Sequence, residues 1–243
     1  MLNIVIPMAG RGSRFLNSKY VKSKPFISVA GKPMIVRVLE NLYYENARYI
    51  LIVRKEHLEE EIETIEYIKN HFNTTFIALS ELSEGTASTV LYAQEIINNN
   101  SPLLIANSDQ IVDIDIKNFI NDSLTRDLDG SILTFIDHEK NSKWSFASVD
   151  SQGHVVEVKE KEPISDIATV GIYFFRRGSD YIDSANDMIM ANDKVLNEFY
   201  VCPTYNYAIK NKLNIGTYMI PFSSMHGIGT PEDLELYLNF FKH

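Results

Sequence analysis

The first 39 residues, MLNIVIPMAGRGSRFLNSKYVKSKPFISVAGKPMIVRVL, narrow the folds open to this chain more than any other stretch. Ile4-Val5-Ile6 is an apolar run short enough for a buried strand. It breaks directly into Ala9-Gly10-Arg11-Gly12-Ser13-Arg14, where glycines allow a backbone too tight for side chains. The stretch holds Arg11, Arg14, Lys19, Lys22, Lys24, Lys32 and Arg37 and no Asp or Glu, in a chain of net charge −9. The other 204 of the 243 residues therefore carry −16 by difference. Seven cations around a glycine turn in an acidic protein make a seat for a small polyanion, because backbone N–H groups with converging Arg and Lys bind phosphate oxygens.

Downstream, helical and extended patterns alternate. Residues 33–45 read as a helix, with Pro33 in its first turn and Ile35, Val38, Leu39 and Leu42 on one stripe. Residues 49–53 read as a strand, and 56–72 as an amphipathic helix with Leu58, Ile62, Ile65 and Phe72 inward. Residues 74–79 are extended, 85–98 helical, and 102–106 a strand ending in Asn107-Ser108-Asp109. This alternation predicts a three-layer, Rossmann-like α/β fold with a mixed, mainly parallel sheet and helices on both faces. After about residue 128 the strands crowd together, at 131–136, 146–149, 154–158 and 169–175, with Ser151-Gln152-Gly153 as a hairpin turn. Helices follow at 179–191 and 204–212, and residues 215–220 are extended. A last helix is capped by Thr230 before Pro231, Glu232 and Asp233. No repeat or linker interrupts the chain, so the expectation is one domain over 1–243, with a nucleotide-binding half (1–128) and an acceptor-binding half (129–243).

Composition excludes several classes. A pI near 5.2 is wrong for a protein that coats nucleic acid, where affinity comes from many cation–phosphate contacts. Cys202 is the only cysteine, so neither an intrachain disulfide nor a cysteine-based zinc site can form. The apolar start is too short for a signal peptide, and no run reaches the roughly 20 apolar residues of a membrane span. These features predict a soluble cytoplasmic protein with no nucleic-acid or membrane partner. The oligomeric state, homo-oligomers included, stays open.

Three readings of the glycine turn compete. A dinucleotide fold requires a third glycine where Phe15 stands and an acid about 20 residues on for the ribose. A P-loop requires a hydroxyl after Gly31-Lys32, where Pro33 stands. A plain surface turn does not account for seven cations without an acid. Met8-Ala9-Gly10-Arg11-Gly12-Ser13-Arg14-Phe15, Ser23-Lys24-Pro25-Phe26 and Gly31-Lys32-Pro33-Met34-Ile35 together resemble the opening of the nucleotidylyltransferases that act on phosphorylated sugars and alcohols. The resemblance continues in order through Glu84-Gly85-Thr86-Ala87, Ser108-Asp109-Gln110, Glu160-Lys161-Glu162-Pro163, Val170-Gly171-Ile172-Tyr173 and Gly229-Thr230-Pro231-Glu232. Within the family, Asn-Ser-Asp-Gln and the compact length look closest to the CTP-dependent phosphoglutamine cytidylyltransferases of capsular phosphoramidate synthesis.

The resemblance implies a GT-A-like nucleotidyltransferase fold and Mg²⁺-dependent transfer of a nucleotidyl group from an NTP to a phosphorylated metabolite, with loss of pyrophosphate. CTP and phosphoglutamine are the favoured pair, and a UTP- or dTTP-dependent sugar-1-phosphate enzyme is the alternative. It places Ala9, Gly10, Gly12 and Ser13 under the triphosphate and Arg14 and Lys24 on its oxygens. Gly85 and Thr86 belong to the nucleotide loop, Asp109 is the metal ligand, and Lys161 meets the acceptor phosphate. Glu160 orients ribose or acceptor, and Gly171 lets the backbone approach the acceptor. Members using UTP or dTTP commonly carry Gln five residues before the glycine matched by Gly85. Ser80 stands there, which favours CTP. In one respect the chain departs from the family. Many members have a second metal-binding Asp where this chain has Gly227, so either water completes the shell, or an acid such as Asp233 reaches in, or the metal sits differently. A second alternative, an NDP-sugar-dependent glycosyltransferase, finds its Asp-x-Asp letters at Asp113-Ile114-Asp115.

Overall fold

The computed structural model describes residues 1–15 and 18–241. Strand Leu2–Pro7 is buried at every position because it lies inside a nine-stranded sheet, flanked by parallel strands on both sides. The order from one edge is Thr74–Leu79, Ala47–Arg54, Leu2–Pro7 and Leu103–Ala106, all parallel, then Ile167–Phe175 running antiparallel. Ile167–Phe175 also pairs with Gly130–Ile136 and, at one position, with Ser145–Val149. Ile215–Met219 extends the sheet beside the first of these and Val155–Glu160 beside the second.

Side chains alternate across the pleat, and each face gathers its own core. Ile4 and Ile6 pack with Val38, Leu39, Ile65, Ile68 and Phe119 from helices Met34–Asn41, Ile62–His71 and Ile116–Thr125. Val5 packs on the other side with Val90, Ile97, Tyr181 and Tyr205 from helices Thr86–Leu91, Gln94–Ile97, Gly178–Met190 and Thr204–Lys210. The sheet is therefore mixed, with helices on both faces, as the alternation of elements predicts. Among the described residues, no helix is long and apolar enough to cross a membrane.

The helices differ in detail from the expectation. The helix expected over 33–45 ends at Asn41, and Pro33 is its N-cap, not part of its first turn. That expected over 56–72 is two helices, Lys55–Glu60 and Ile62–His71, broken at Glu61. The break resets the phase: His57 faces inward on the first, Thr64, Ile65 and Ile68 on the second, and Ile62 turns out at 60% exposure. The helix expected over 85–98 is likewise divided, between Leu91 and Gln94. In the last helix, Pro231–Asn239, only Leu234 is buried; Leu236 is exposed, as are Phe240 and Phe241 just after its end.

His57 is fully buried against Phe26, and its Nε2 accepts from Arg54 Nε at 3.1 Å while Nδ1 has no partner. Burial first, and then the Arg54 guanidinium, push its pKa down to about 4. The unfolded chain titrates its histidine near 6.5 and so takes up a proton that the folded protein refuses between those values. Stability from this residue is full above pH 6.5 and is lost as pH falls through the window. The expected loss between pH 7 and pH 5 is about 2 kcal/mol. Urea unfolding at the two pH values checks this: His57→Gln is expected to flatten the difference. An unchanged difference would assign the pH dependence elsewhere.

Candidate active site

The strand Leu2–Pro7 hands the chain to the glycine turn at the sheet's carboxyl edge, where ligands of open α/β sheets collect. A cleft of about 1030 Å³ opens there. It is lined by Ala9, Gly10, Gly12, Ser13, Arg14, Lys24, Gly85, Thr86, Asp109, Glu160, Lys161 and Gly171, so twelve of the thirteen residues singled out from the sequence come together. The exception is Ser80, which is exposed and lines a separate cavity of about 320 Å³ with Arg11, Arg54, Glu56 and Leu82. Leu82 and Ser83, not Ser80, represent that loop in the main cleft.

The seven cations of the first 39 residues do not all converge. Lys19 pairs with Glu235, Lys22 with Glu61 and Lys32 with Glu40, while Arg37 donates to the carbonyls of Val29 and Ala30. Arg11, Arg14 and Lys24 are the three that line the cleft. The short helix Lys24–Phe26 brings Lys24 back over the turn, and Gly12 makes this fit: a Cβ there would stand 2.9 Å from Lys24 Cβ.

Asp109 follows strand Leu103–Ala106 by three residues and faces the same space. Lys24 Nζ forms a direct ion pair with Asp109 Oδ2, with both side chains 18% exposed. Burial alone would raise the Asp109 carboxyl, but the Lys24 ammonium on it, with Arg14 nearby, outweighs burial and holds it below the usual carboxylate value. The neighbouring strand Gln110–Val112 pairs antiparallel with Met225–Gly227, which sets Gly227 opposite Gln110. At Gly229 a Cβ would collide with the Asp109 carboxylate.

The other end of the cleft is built by strand ends from the second half of the chain. Glu160 closes strand Val155–Glu160 and accepts from Ser145 Oγ; burial raises its pKa against the opposing effects of Ser145 and Lys161. Lys161 turns the chain in the left-handed region (φ 58°), and its Nζ donates to Tyr200 Oη at 2.6 Å and lies over that ring. Trp144, Thr169, Tyr173, Glu198 and Cys202 complete this end. Burial pushes the Cys202 thiol far above its ordinary value, so it stays protonated. Gly171 (φ 92°) has a local reason that the sequence hides: the space of its absent Cβ is filled by the Asn107 amide.

The two ends are tied together by backbone. Phe199 N donates to Glu84 O at 2.8 Å, Ala87 N to Phe199 O at 2.9 Å, and Lys194 pairs with Glu84 at 3.0 Å. Gly85, at φ 124° and ψ 176°, permits this contact.

The letters Asp113-Ile114-Asp115 do not form part of the cleft. Asp113 meets His226 Nε2 at 2.7 Å, and Asp115 caps helix Ile116–Thr125 through Lys117 N. Among the described residues no cluster of three or more His, Cys, Asp or Glu could hold a metal by itself. Sequence reasoning missed Asn107, Gln110, Trp144, Ser145, Thr169, Tyr173, Glu198, Tyr200 and Cys202 as cleft residues. Of these Asn107, Gln110 and Tyr173 stood in recognisable stretches.

Residues 4–211 match the protein family described as nucleotidyl transferase. The bifunctional protein GlmU of Methanococcus aeolicus is 30% identical over 176 residues, covering 72% of this chain and 40% of that protein. The mannose-1-phosphate guanylyltransferase catalytic subunit beta of Drosophila melanogaster is 28% identical over 177 residues, 70% of this chain and 47% of that one. The matches thus span less than half the length of these curated relatives. In structure, the nucleoside-diphosphate-sugar pyrophosphorylase of Vibrio cholerae RC9 superposes with a TM-score of 0.81 at 25% identity, covering 97% of this chain and 99% of that one.

Proposed function

Because the chain belongs to the nucleotidyl transferase family, we propose that it joins the nucleoside monophosphate of an NTP to a phosphorylated acceptor and releases pyrophosphate. The observation that carries this reading is the gathering of two sets of cations in one cleft, Arg14 and Lys24 with the glycine turn at one end and Lys161 at the other. The acceptor class best supported is a sugar 1-phosphate: mannose 1-phosphate stands in the name of the guanylyltransferase relative, and the Vibrio cholerae neighbour is named a nucleoside-diphosphate-sugar pyrophosphorylase.

An acceptor phosphate oxygen attacks the α-phosphorus, the bond to the β-phosphate oxygen breaks, and pyrophosphate leaves. A phosphate monoester with a second pKa near 6 is already largely dianionic at pH 7, so the protein has no need of a general base. What it supplies is alignment of two anions and charge at the phosphates. Backbone amides of the glycine turn cradle the triphosphate, and Arg14 and Lys24 take its oxygens. To do so Lys24 exchanges the Asp109 carboxylate for phosphate. Lys161 leaves Tyr200 for the acceptor phosphate, and Glu160 accepts hydrogen bonds from ribose or acceptor hydroxyls. The site suits a divalent cation, Mg²⁺ by preference: Asp109 offers hard oxygens beside the triphosphate seat, and Gly229 keeps that side of its carboxylate clear. Asp109 would hold such a cation, which when bound would supply neutralisation of charge on the phosphates.

The second reading is CTP with phosphoglutamine. It is supported by the Asn-Ser-Asp-Gln stretch and by the absence of glutamine at position 80. The exposed, outlying position of Ser80 removes the direct-contact part of that argument. Pyrophosphate release separates the readings, with CTP, UTP, dTTP, ATP and GTP each tried against sugar 1-phosphates and phosphoglutamine in Mg²⁺. Turnover with a sugar 1-phosphate is expected. Turnover confined to CTP with phosphoglutamine would install the second reading, and silence across the panel would sink both.

Lys161→Ala is expected to raise the acceptor KM about tenfold or more and leave the NTP KM within about threefold, since one charge-assisted contact to the acceptor is lost. Initial-rate kinetics with each substrate varied check this. Equal rises in both constants would contradict the division of the cleft.

A further inference from the structure

Resting on the nucleotidylyl-transfer reading, we propose that Asp233 is the second carboxylate of the cation site, its Oδ2 lying in contact distance of where a side chain at Gly227 would begin. Asp109 alone is a weak holder of a hard cation, because a single carboxylate supplies at most two of the oxygens such an ion draws. A divalent magnesium-like ion draws about six oxygens and favours carboxylate and phosphate ligands. Four carboxylates line the cleft: Asp109, Glu160, Glu198 and Asp233. Glu160 is engaged by Ser145, and Glu198 stands two residues from Tyr200, at the acceptor end.

Asp233 stands with Asp109. One segment, 227–229, lies against both acids. A Cβ on Gly229 would run into Asp109 Oδ2, and a Cβ on Gly227 would meet Asp233 Oδ2 at 3.9 Å, its only neighbour within 4 Å. Ile228 N, between them, donates to Asp109 O at 2.9 Å, which fixes the segment to the strand-end acid. Asp233 therefore reaches toward the place from which a residue-227 side chain would face the cleft.

The helix does not use this carboxylate. Asp233 sits three residues after the N-cap Thr230, and its backbone N–H is bound by Thr230 Oγ1 at 3.1 Å. In a reciprocal capping box an acid at this position reaches back to the N-cap N–H. No such bond forms, and among the described residues the Asp233 carboxylate has no hydrogen bond or ion pair. A half-buried acid without a partner, beside a cation-rich phosphate seat, is available to a ligand. The competing role is electrostatic support of the helix N-terminus.

The two roles separate in metal binding. Mn²⁺ serves as the probe, by electron paramagnetic resonance, with the non-hydrolysable α,β-methylene analogue of whichever NTP gives turnover. Asp233→Asn is expected to weaken Mn²⁺ binding in the ternary complex about tenfold or more. Analogue binding in EDTA should be unchanged, and the melting temperature should shift little. Adding Gly227→Asp to that variant places a carboxylate in the same space and is expected to restore Mn²⁺ affinity to within about threefold of wild type, the loss having been about tenfold. Mn²⁺ affinity unchanged in Asp233→Asn would overturn the proposal and leave the acid to the helix. So would equal weakening of analogue binding in EDTA. Absence of pyrophosphate release in wild type overturns the nucleotidylyl reading itself, which is a separate result.

Discussion

Asp109→Asn is expected to lower kcat by about two orders of magnitude or more, the range seen when a group that stabilises charge at the reacting centre is removed. The substitution keeps the shape of the side chain and removes its charge. Two consequences follow from the position of Asp109. The cation loses its strand-end carboxylate, and Lys24 loses the counter-ion that holds it over the glycine turn. The second effect falls on the ligand-free protein, whose stability should drop by about 1–2 kcal/mol, less than for a fully buried pair because the ammonium can turn into the open cleft. Steady-state kinetics at saturating Mg²⁺ and a urea melt test the two parts independently. Near-normal turnover would remove Asp109 from the metal site.

Gly85→Ala carries the other large effect. Its backbone, at φ 124° and ψ 176°, lies in a region that only glycine enters readily, and an added Cβ would stand 2.5 Å from both the N and the O of Phe199. Those two atoms make the 2.8 and 2.9 Å bonds to Glu84 and Ala87. Strain of this kind costs about 1–3 kcal/mol and each displaced backbone bond about 1 more, so a loss of about 3–5 kcal/mol is expected. Because the same contact joins the nucleotide loop to the segment that carries Glu198 and Tyr200, both KM values should rise together, unlike in Lys161→Ala. Stability within about 0.5 kcal/mol of wild type would mean that the loop gives way without loss.

What the sequence makes legible is what is local. Met8 to Arg14 stands out as a cleft segment because two glycines and two arginines fall within seven residues directly after a short strand. Thr230 and Pro231 declare a helix start for the same reason. The break at Glu61 and the division after Leu91 carry no proline or glycine, and only packing sets them. The pairing of Gln110–Val112 with Met225–Gly227 joins two three-residue strands more than a hundred residues apart, too short for any periodicity to register. Counting cations also overreached: four of the seven serve structure, and which three face the cleft depends on acids as distant as Glu235. The acceptor end was the least readable, since Trp144, Tyr200 and Cys202 meet only through tertiary folding.

Strand Ile167–Phe175 has a consequence for how the protein comes into being. It is the antiparallel seam that pairs one edge of Leu103–Ala106 and one edge of Gly130–Ile136. During synthesis the parallel ladder of residues 2–7, 47–54, 74–79 and 103–106 can assemble first, from nearby segments. Until residue 175 has emerged, however, the apolar Leu103-Leu104-Ile105-Ala106 is a bare sheet edge. An apolar edge of that kind is the type that recruits other chains. The seam also delivers Thr169, Gly171 and Tyr173 to the cleft, so docking this one strand closes the edge and lays down one wall of the site, which Glu198, Tyr200, Cys202 and Asp233 join later. A growing chain thus covers its barest apolar edge in the same step that begins its cleft, before the residues that finish the cleft have been made.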